Sequence, residues 1–359
     1  MKVTDYLAEP LINRLPVELL QQIFLLVVND VPDYPGIFSF GDNTISANVT
    51  SPPLLLTQVC CCWRAIAHST RGLWSRILVT LPGRERPLKP FLPFLLESWL
   101  ARSGSHPLSL SIVSKQLFYP RHHRAGCRPL FSYPSEADSQ LLGILLSEKG
   151  RWETLVVVSP DICDWSDNID APQLRTLECF RREFKRFDAP NLHRLQIFNQ
   201  CEFSVTTPTC ETLQHLRLHH TSVNTIRFTS VIFPHLETLA VDDFSVGSGD
   251  RIDSVTQSCL KSMTLPLRLR VTSDPYYRQG FINILDGFHL PMLQKLTVEV
   301  GDLKKPAVDC IMEALAVASC HEPAVDFQTT TPSSEVDMDI FEPLLSVVKE
   351  VTVCGEVLR

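Results

Sequence analysis

Leu15-Pro16-Val17-Glu18-Leu19-Leu20-Gln21-Gln22-Ile23-Phe24-Leu25-Leu26-Val27-Val28, followed after an interruption by Leu54-Leu55-Leu56-Thr57-Gln58-Val59-Cys60-Cys61-Cys62-Trp63-Arg64-Ala65-Ile66-Ala67 and closed by Gly72-Leu73-Trp74, are the stretches on which the reading of this chain turns. Pro16 suits the first helical position, where its missing N–H costs nothing and its φ is already helical. Val17, Leu20, Phe24 and Val27 follow one helical stripe and Leu19, Ile23 and Leu26 a second, leaving Glu18, Gln21 and Gln22 as a narrow polar side. The second stretch repeats the situation, with Leu55, Val59, Cys62 and Ile66 in one row and Leu56, Cys60, Trp63 and Ala67 in another. Helices this short cannot hide two apolar rows each, because a bundle of about forty residues buries too little of its own surface. One row must pack inward, and the other is left for a partner or for more of the same chain. The bland alternative is an N-terminal helical cap on a larger core, with no partner implied.

The phrases Leu15-Pro16, Val59-Cys60-x-x-Trp63 and Leu73-Trp74, in this order, resemble the F-box, the adaptor-docking module of cullin-based ubiquitin ligases. The resemblance covers residues 11–78. It implies that Leu15, Pro16, Ile23, Leu55, Val59, Cys60 and Trp63 contact a Skp adaptor, and through it a cullin and its RING subunit. Two features depart from the family pattern. Residues 29–53, with Pro32, Pro35, Gly36, Gly41, Asn43, Pro52 and Pro53, form a much longer connection than the usual turn and read as an inserted, mobile loop. Cys61 and Cys62 occupy places where the family usually has basic residues. Long insertions of this kind, and the phrase Trp99-Leu100-Ala101-Arg102-Ser103-Gly104-Ser105-His106-Pro107-Leu108, resemble the F-box-like families expanded in mushroom-forming fungi.

Bulk properties agree with an intracellular protein. A chain of 359 residues with 44% hydrophobic and 20% charged residues has ample material for about two folded domains. A formal net charge of −7 at pH 7 supplies no basic field for nucleic acid or an anionic membrane. Met1-Lys2-Val3-Thr4-Asp5-Tyr6 lacks an apolar signal core, and no run reaches the roughly eighteen apolar residues of a membrane helix, so a cytoplasmic or nuclear location is expected. The 12 cysteines, without regular spacing, are then expected as reduced thiols, and the Asn48-Val49-Thr50 sequon as idle.

No catalytic or metal constellation emerges, and no cofactor is expected. Cys60-Cys61-Cys62 cannot close a tetrahedral site, since consecutive helical residues point in different directions. His122-His123 and His219-His220 lack carboxylates at ligand spacing and read as loop or face histidines. Gly247-Ser248-Gly249 is a turn and not a phosphate-cradling loop, and neither a Gly-x-Ser-x-Gly elbow nor a catalytic cysteine signature is present.

Beyond the first hundred residues a loose phrase, Leu-x-x-Leu-x-Leu with aliphatic substitutes, recurs. It is found at Trp152/Leu155/Val157, Leu174/Leu177/Cys179, Leu192/Leu195/Ile197, Leu213/Leu216/Leu218, Leu236/Leu239/Val241, Leu260/Met263/Leu265, Leu293/Leu296/Val298 and Val348/Val351/Val353. Single matches are weak in so apolar a chain. Pro172, Pro190, Pro234 and Pro291, each two residues before the first leucine of a copy, strengthen the series. Spaced by about twenty residues, the phrase resembles a degenerate leucine-rich repeat, which implies one inward-facing strand per copy, stacked into a curved parallel sheet. The usual Asn or Cys after the third aliphatic is missing, with Gln200, Thr221, Phe244, Arg268 and Gly301 in its place, so an irregular solenoid without a regular Asn ladder is expected. A non-repetitive α/β domain is the alternative.

The expected architecture is therefore α+β or α/β: a helical F-box at 11–78 with its insertion at 29–53, a connection at 79–134, and a repeat-like domain at 135–359. The connection would hold a helix over 88–101, an edge strand over 108–113 and a surface loop over 121–134. Helices are expected over 137–149, 276–288 and 306–319, and Arg181-Arg182-Glu183-Phe184-Lys185-Arg186 as a solvated loop. Outward strand positions nominate Glu178, Phe180, Gln196 and Asp242 together with a mildly basic target-binding set, Arg194, Phe198, His215, Arg217 and His219, suited to an acidic or phosphorylated segment. The alternative is an ordinary solvated sheet face. The function these readings imply is a non-catalytic substrate receptor of a Skp-cullin-F-box ubiquitin ligase that delivers an unidentified target protein for degradation, or else an interaction scaffold working outside any ligase.

Overall fold

The computed structural model describes residues 11–30, 34–40, 45–83, 90–114, 135–158, 168–203, 207, 209–245, 255–267, 275–286, 288–301, 303–330 and 336–358. The fold is mixed α/β with mostly parallel strand pairing, and the chain divides into two compact units, Met1–Gln173 and Leu174–Arg359. The boundary lies between the Trp152 and Leu174 copies of the aliphatic phrase.

In the first unit, α1 (Val17–Asn29) starts one residue later than expected. Pro16 is its N-cap, and the Pro16 carbonyl accepts from the amides of Leu19 and Leu20, both at 3.1 Å. Leu20, Phe24 and Val28 face inward. The Arg76 guanidinium closes the far end of α1, its Nη1 donating to the carbonyls of Val28 at 3.3 Å and Asn29 at 3.4 Å. The described residues of the insertion are not all loop. They include an antiparallel hairpin of β1 (Phe38–Phe40) and β2 (Ile45–Ala47), because Ile37 and Phe38 have a core to enter and are buried.

The second apolar stretch is a broken helix. A 3-10 turn, Leu55–Gln58, precedes α2 (Cys61–Ser69), with Cys60 between them in extended conformation, its Sγ accepting from the Trp63 amide at 3.4 Å. A sulfur thus serves where an oxygen usually caps. Three parallel strands follow in the order β3 (Arg76–Leu81), β4 (Leu108–Ser114) and β5 (Trp152–Val158), joined by α3 (Phe91–Ser103) and α4 (Glu136–Leu146). The strand expected at an edge is thus paired on both sides, and the physical reason is that both of its faces are covered, Leu110 and Ile112 on one and Ser111 on the other. Gly104, at φ +56°, ends α3, and Arg151 donates to the Leu100 carbonyl and the Ser103 hydroxyl at 3.1 and 2.8 Å. Trp74 meets Trp99 edge-on at 5.1 Å and donates its indole N–H to the Ala67 carbonyl at 2.8 Å, tying α2 to α3.

The second unit is a ladder. β6 (Thr176–Phe180), β7 (Arg194–Cys201), β8 (His215–Ser222), β9 (Thr238–Val241), β10 (Ser262–Leu267), β11 (Lys295–Val300), β12 (Ala324–Thr329) and β13 (Glu350–Val353) each pair in parallel with the next, and β14 (Glu356–Val357) closes the row antiparallel to β13. The register keeps Leu177, Leu195, Leu216, Leu239, Met263, Leu296, Val325 and Val351 side by side, and every position of the aliphatic phrase named above is buried.

Two elements escaped the sequence pattern. β12 has Val325 and Phe327 in place, but Glu322, at φ +35°, stands where the phrase wants an aliphatic. A helix, α5 (Val223–Ile232), is rich in β-branched residues that read as strand, yet Ser222 caps it by accepting from the Thr225 amide at 3.2 Å. The expected helices are present as α6 (Pro275–Leu285) and α7 (Lys305–Val317), and Arg181–Phe184 forms a helical turn within the stretch read as a loop. The loop expected at 121–134 lies outside the described residues.

Candidate docking faces

On the helical part of the first unit, Leu19, Ile23, Leu26 and Val27 occupy one arc of α1 and all are exposed, Leu26 most of all at 66%. The inward stripe takes Val28 where the sequence suggested Val27 and leaves Val17 at the surface. Of the residues nominated for adaptor contact, Pro16, Ile23, Leu55 and Val59 are exposed, Val59 at 57%, while Leu15, Cys60 and Trp63 are half-buried. Trp63 packs against Phe24 with ring centroids 4.8 Å apart and the rings tilted by 54°, so it joins α2 to α1 while half-buried. Cys60 spends its sulfur on the helix cap. The two rows of the second stretch separate only in part: Leu56 and Ala67 are buried and Leu55, Val59 and Cys62 exposed, but Ile66, expected in the row of Leu55, is buried, and Cys60 and Trp63 are half-buried. Leu19 and Leu26 belong with the site although they were only assigned to a stripe.

On the second unit, the outward side chains of β6, β7 and β8 come together in register. Thr176 and His215 flank Arg194; Glu178 and Arg217 flank Gln196; Phe180 lies opposite Phe198. The rings of Phe180, Phe198 and His219 form a ladder, with centroids 5.6 Å apart for the first pair and 5.2 Å for the second. Within the set expected to be mildly basic, Asp242 engages Arg217 and His219. Its carboxylate accepts from Arg217 Nε at 3.1 Å and Nη2 at 3.0 Å and lies 2.9 Å from His219 Nδ1, whose Nε2 is 2.8 Å from the Gln196 amide nitrogen.

His220 Nδ1 likewise lies 3.3 Å from Asp243 Oδ2, so the adjacent histidines do have carboxylate partners. Local spacing could not show this, because the partners arrive from just beyond the neighbouring strand. Burial raises the Glu178 carboxyl above its ordinary range against the opposing pull of Arg194, His219 and Arg217, and burial with Arg194 lowers His215. Further along the ladder, Asp326 is buried yet held by Lys295 Nζ at 2.8 Å, Thr352 Oγ1 at 2.7 Å and Gln328 Nε2 at 3.0 Å.

A separate cleft of about 330 Å³ opens beside β7 and β8, lined in part by Phe184, Phe187, Pro190, Cys210 and Glu211. Among the described residues, no group of three or more His, Cys, Asp or Glu side chains is placed to hold a metal ion, and no helix is long and apolar enough to cross a membrane. Burial pushes the Cys201 thiol up to about 12 and the Cys310 thiol up to about 11, which keeps both protonated and unreactive. No family model matches the chain, and neither curated proteins nor solved structures yield a match.

Proposed function

We propose that this chain is the substrate-recognition subunit of a Skp-cullin-F-box ubiquitin ligase: residues 11–78 hold a Skp adaptor, the adaptor holds a cullin with its RING subunit, and the second unit holds a target protein. The observation that carries the reading is the uncovered apolar arc of α1 together with Leu55 and Val59. Isolated apolar side chains at a surface need no explanation, but a contiguous row at helical spacing, on helices whose other row is already packed, needs a partner to exclude water. The ladder of the second unit supports an irregular leucine-rich-repeat-like solenoid, whose outward strand face is the usual binding surface of such folds.

The chain would carry no catalytic group of its own. Holding a target lysine near a charged conjugating enzyme raises its effective concentration, which is the whole contribution asked of a receptor working in the cytosol or nucleus. The target face is read here as a balanced polar and aromatic surface and no longer as a basic one, since Asp242 already occupies Arg217 and His219. Arg194 remains exposed beside it.

Trp63→Ala would remove both a contact and the Phe24 stacking, so Leu26→Asp and Val59→Asp are cleaner probes. With the full-length chain and a purified Skp adaptor, each should reduce binding by at least tenfold while leaving the unfolding midpoint unchanged. Wild-type affinity in both variants sinks the proposal. Recovery of the adaptor without a cullin would instead favour a scaffold acting outside the ligase.

A further inference from the structure

We infer that the turn following the inserted hairpin, at Val49 and Thr50, is a second wall of the same docking face, and that the partner covering Leu55 and Val59 also covers Val49; this rests on the reading just proposed. Val49 is 52% exposed, and its carbonyl accepts from Gln58 Nε2 at 3.0 Å. That bond sets Val49 against the 3-10 turn that carries Leu55, with Val59 following directly.

The segment is held from both ends. Pro35 and Ile37 bond along the side of β3, through Leu78 N to Pro35 O at 2.9 Å and Ile37 N to Leu78 O at 3.2 Å. Asn48 N donates to Ile37 O at 2.8 Å, Ser51 N to Asn48 O at 3.3 Å, and Leu55 N to Ser51 O at 3.1 Å. Thr50 Oγ1 adds a bond to Asn48 Oδ1 at 2.8 Å. With its backbone so fastened, Val49 loses little conformational freedom when covered, and contacts made by a pre-ordered residue contribute more net affinity.

Area points the same way. The exposed parts of Leu19, Ile23, Leu26, Val27, Leu55 and Val59 amount to on the order of 500 Å², less than the ~800 Å² per partner of a standard interface. Val49 extends that surface past Leu55, and the exposed Thr50 and Gln58 beside it supply the polar rim such interfaces carry.

The test uses the intact chain, a purified Skp adaptor, and the variants Val49→Asp, Val49→Leu and Val59→Asp, with thermal unfolding of each as a folding control. Val49→Asp should weaken adaptor binding about tenfold and Val49→Leu by less than about twofold, with unchanged unfolding midpoints. If Val49→Asp binds like wild type while Val59→Asp does not, the turn at Val49 lies outside the interface and this inference fails with the receptor reading intact. If every variant binds like wild type, or the wild type does not bind, both fall. Light scattering supplies the remaining arm: a wild-type dimer that Val49→Asp converts to monomer would make the face a self-association surface and overturn the inference.

Discussion

On α1 and the turn before α2, Leu19, Ile23, Leu26, Leu55 and Val59 face water; on the strands of the second unit every leucine of the ladder is covered, and the outward face shows Glu178, Arg194, Arg217, His219 and Asp242. The first region keeps its apolar area in reserve. Covering it would release water with little regard to fine chemistry, a source of affinity. The second region has already paired most of its charges with one another, so a ligand there must offer exchange partners at matching positions, a source of selectivity.

The comparison can be broken most directly within α1. Phe24→Ala removes a fully buried ring that stacks on Trp63 and should cost about 3–5 kcal/mol in a urea titration, whereas Leu26→Ala, two residues on, should stay within about 0.5 kcal/mol. Equal costs at the two positions would mean that the outward arc is packed in solution.

A smaller contrast separates two aspartates of the second unit. Asp326→Ala strips a buried carboxylate from Lys295, Thr352 and Gln328 and should cost about 2 kcal/mol, while Asp242→Ala at the more open cluster should cost less than about 1 kcal/mol. Burial alone would raise the Asp326 carboxyl, but the hydrogen bonds from Lys295, Thr352 and Gln328 overcome it and hold it below the ordinary aspartate range. Its contribution is therefore complete at neutral pH and is lost only as pH falls through that lowered value.

The smallest effect concerns histidine. His68, lowered by burial and by Arg102 and Arg64, and His215, lowered by burial and by Arg194, are both disfavoured as cations in the folded state. For each, stability is complete above the unfolded value of about 6.5 and declines as pH falls through the lower folded value, so mild acid should weaken both units slightly. Ring titrations followed by NMR should both fall below 6.5, and a value above it at either site would contradict the environments drawn for them.

What could be read in advance follows a physical line. Burial periodicity is local, so the aliphatic positions of the ladder were legible residue by residue, and the two rows of Leu54–Ala67 were legible up to Ile66, which turns inward where the break at Cys60 shifts the helical phase. So was the separation of an inward and an outward row on α1, apart from the slip that put Val28 where Val27 was expected. Register is not local. Asp242 and Asp243 meet His219 and His220 only because β8 and β9 align, and nothing within ten residues of either histidine announces it. The strand pair within the insertion is hidden because its prolines and glycines advertise turns, while the two residues that anchor it, Ile37 and Phe38, are too few to register as an element. The β-branched run of α5 was hidden by propensity and rescued by its cap.

Arg76 reaches from β3 back to the last carbonyls of α1, and this decides how the molecule can be cut. A fragment ending at Trp74 would leave the outward helix frayed at one end, and one ending at Leu81 would keep its clasp but strand Ile77 and Val79 without β4 beside them. Excision of 11–78 would in turn bare the flank of β4. The amino-terminal helices are thus no detachable tag, and point substitutions, not truncations, are the tool that separates docking from folding.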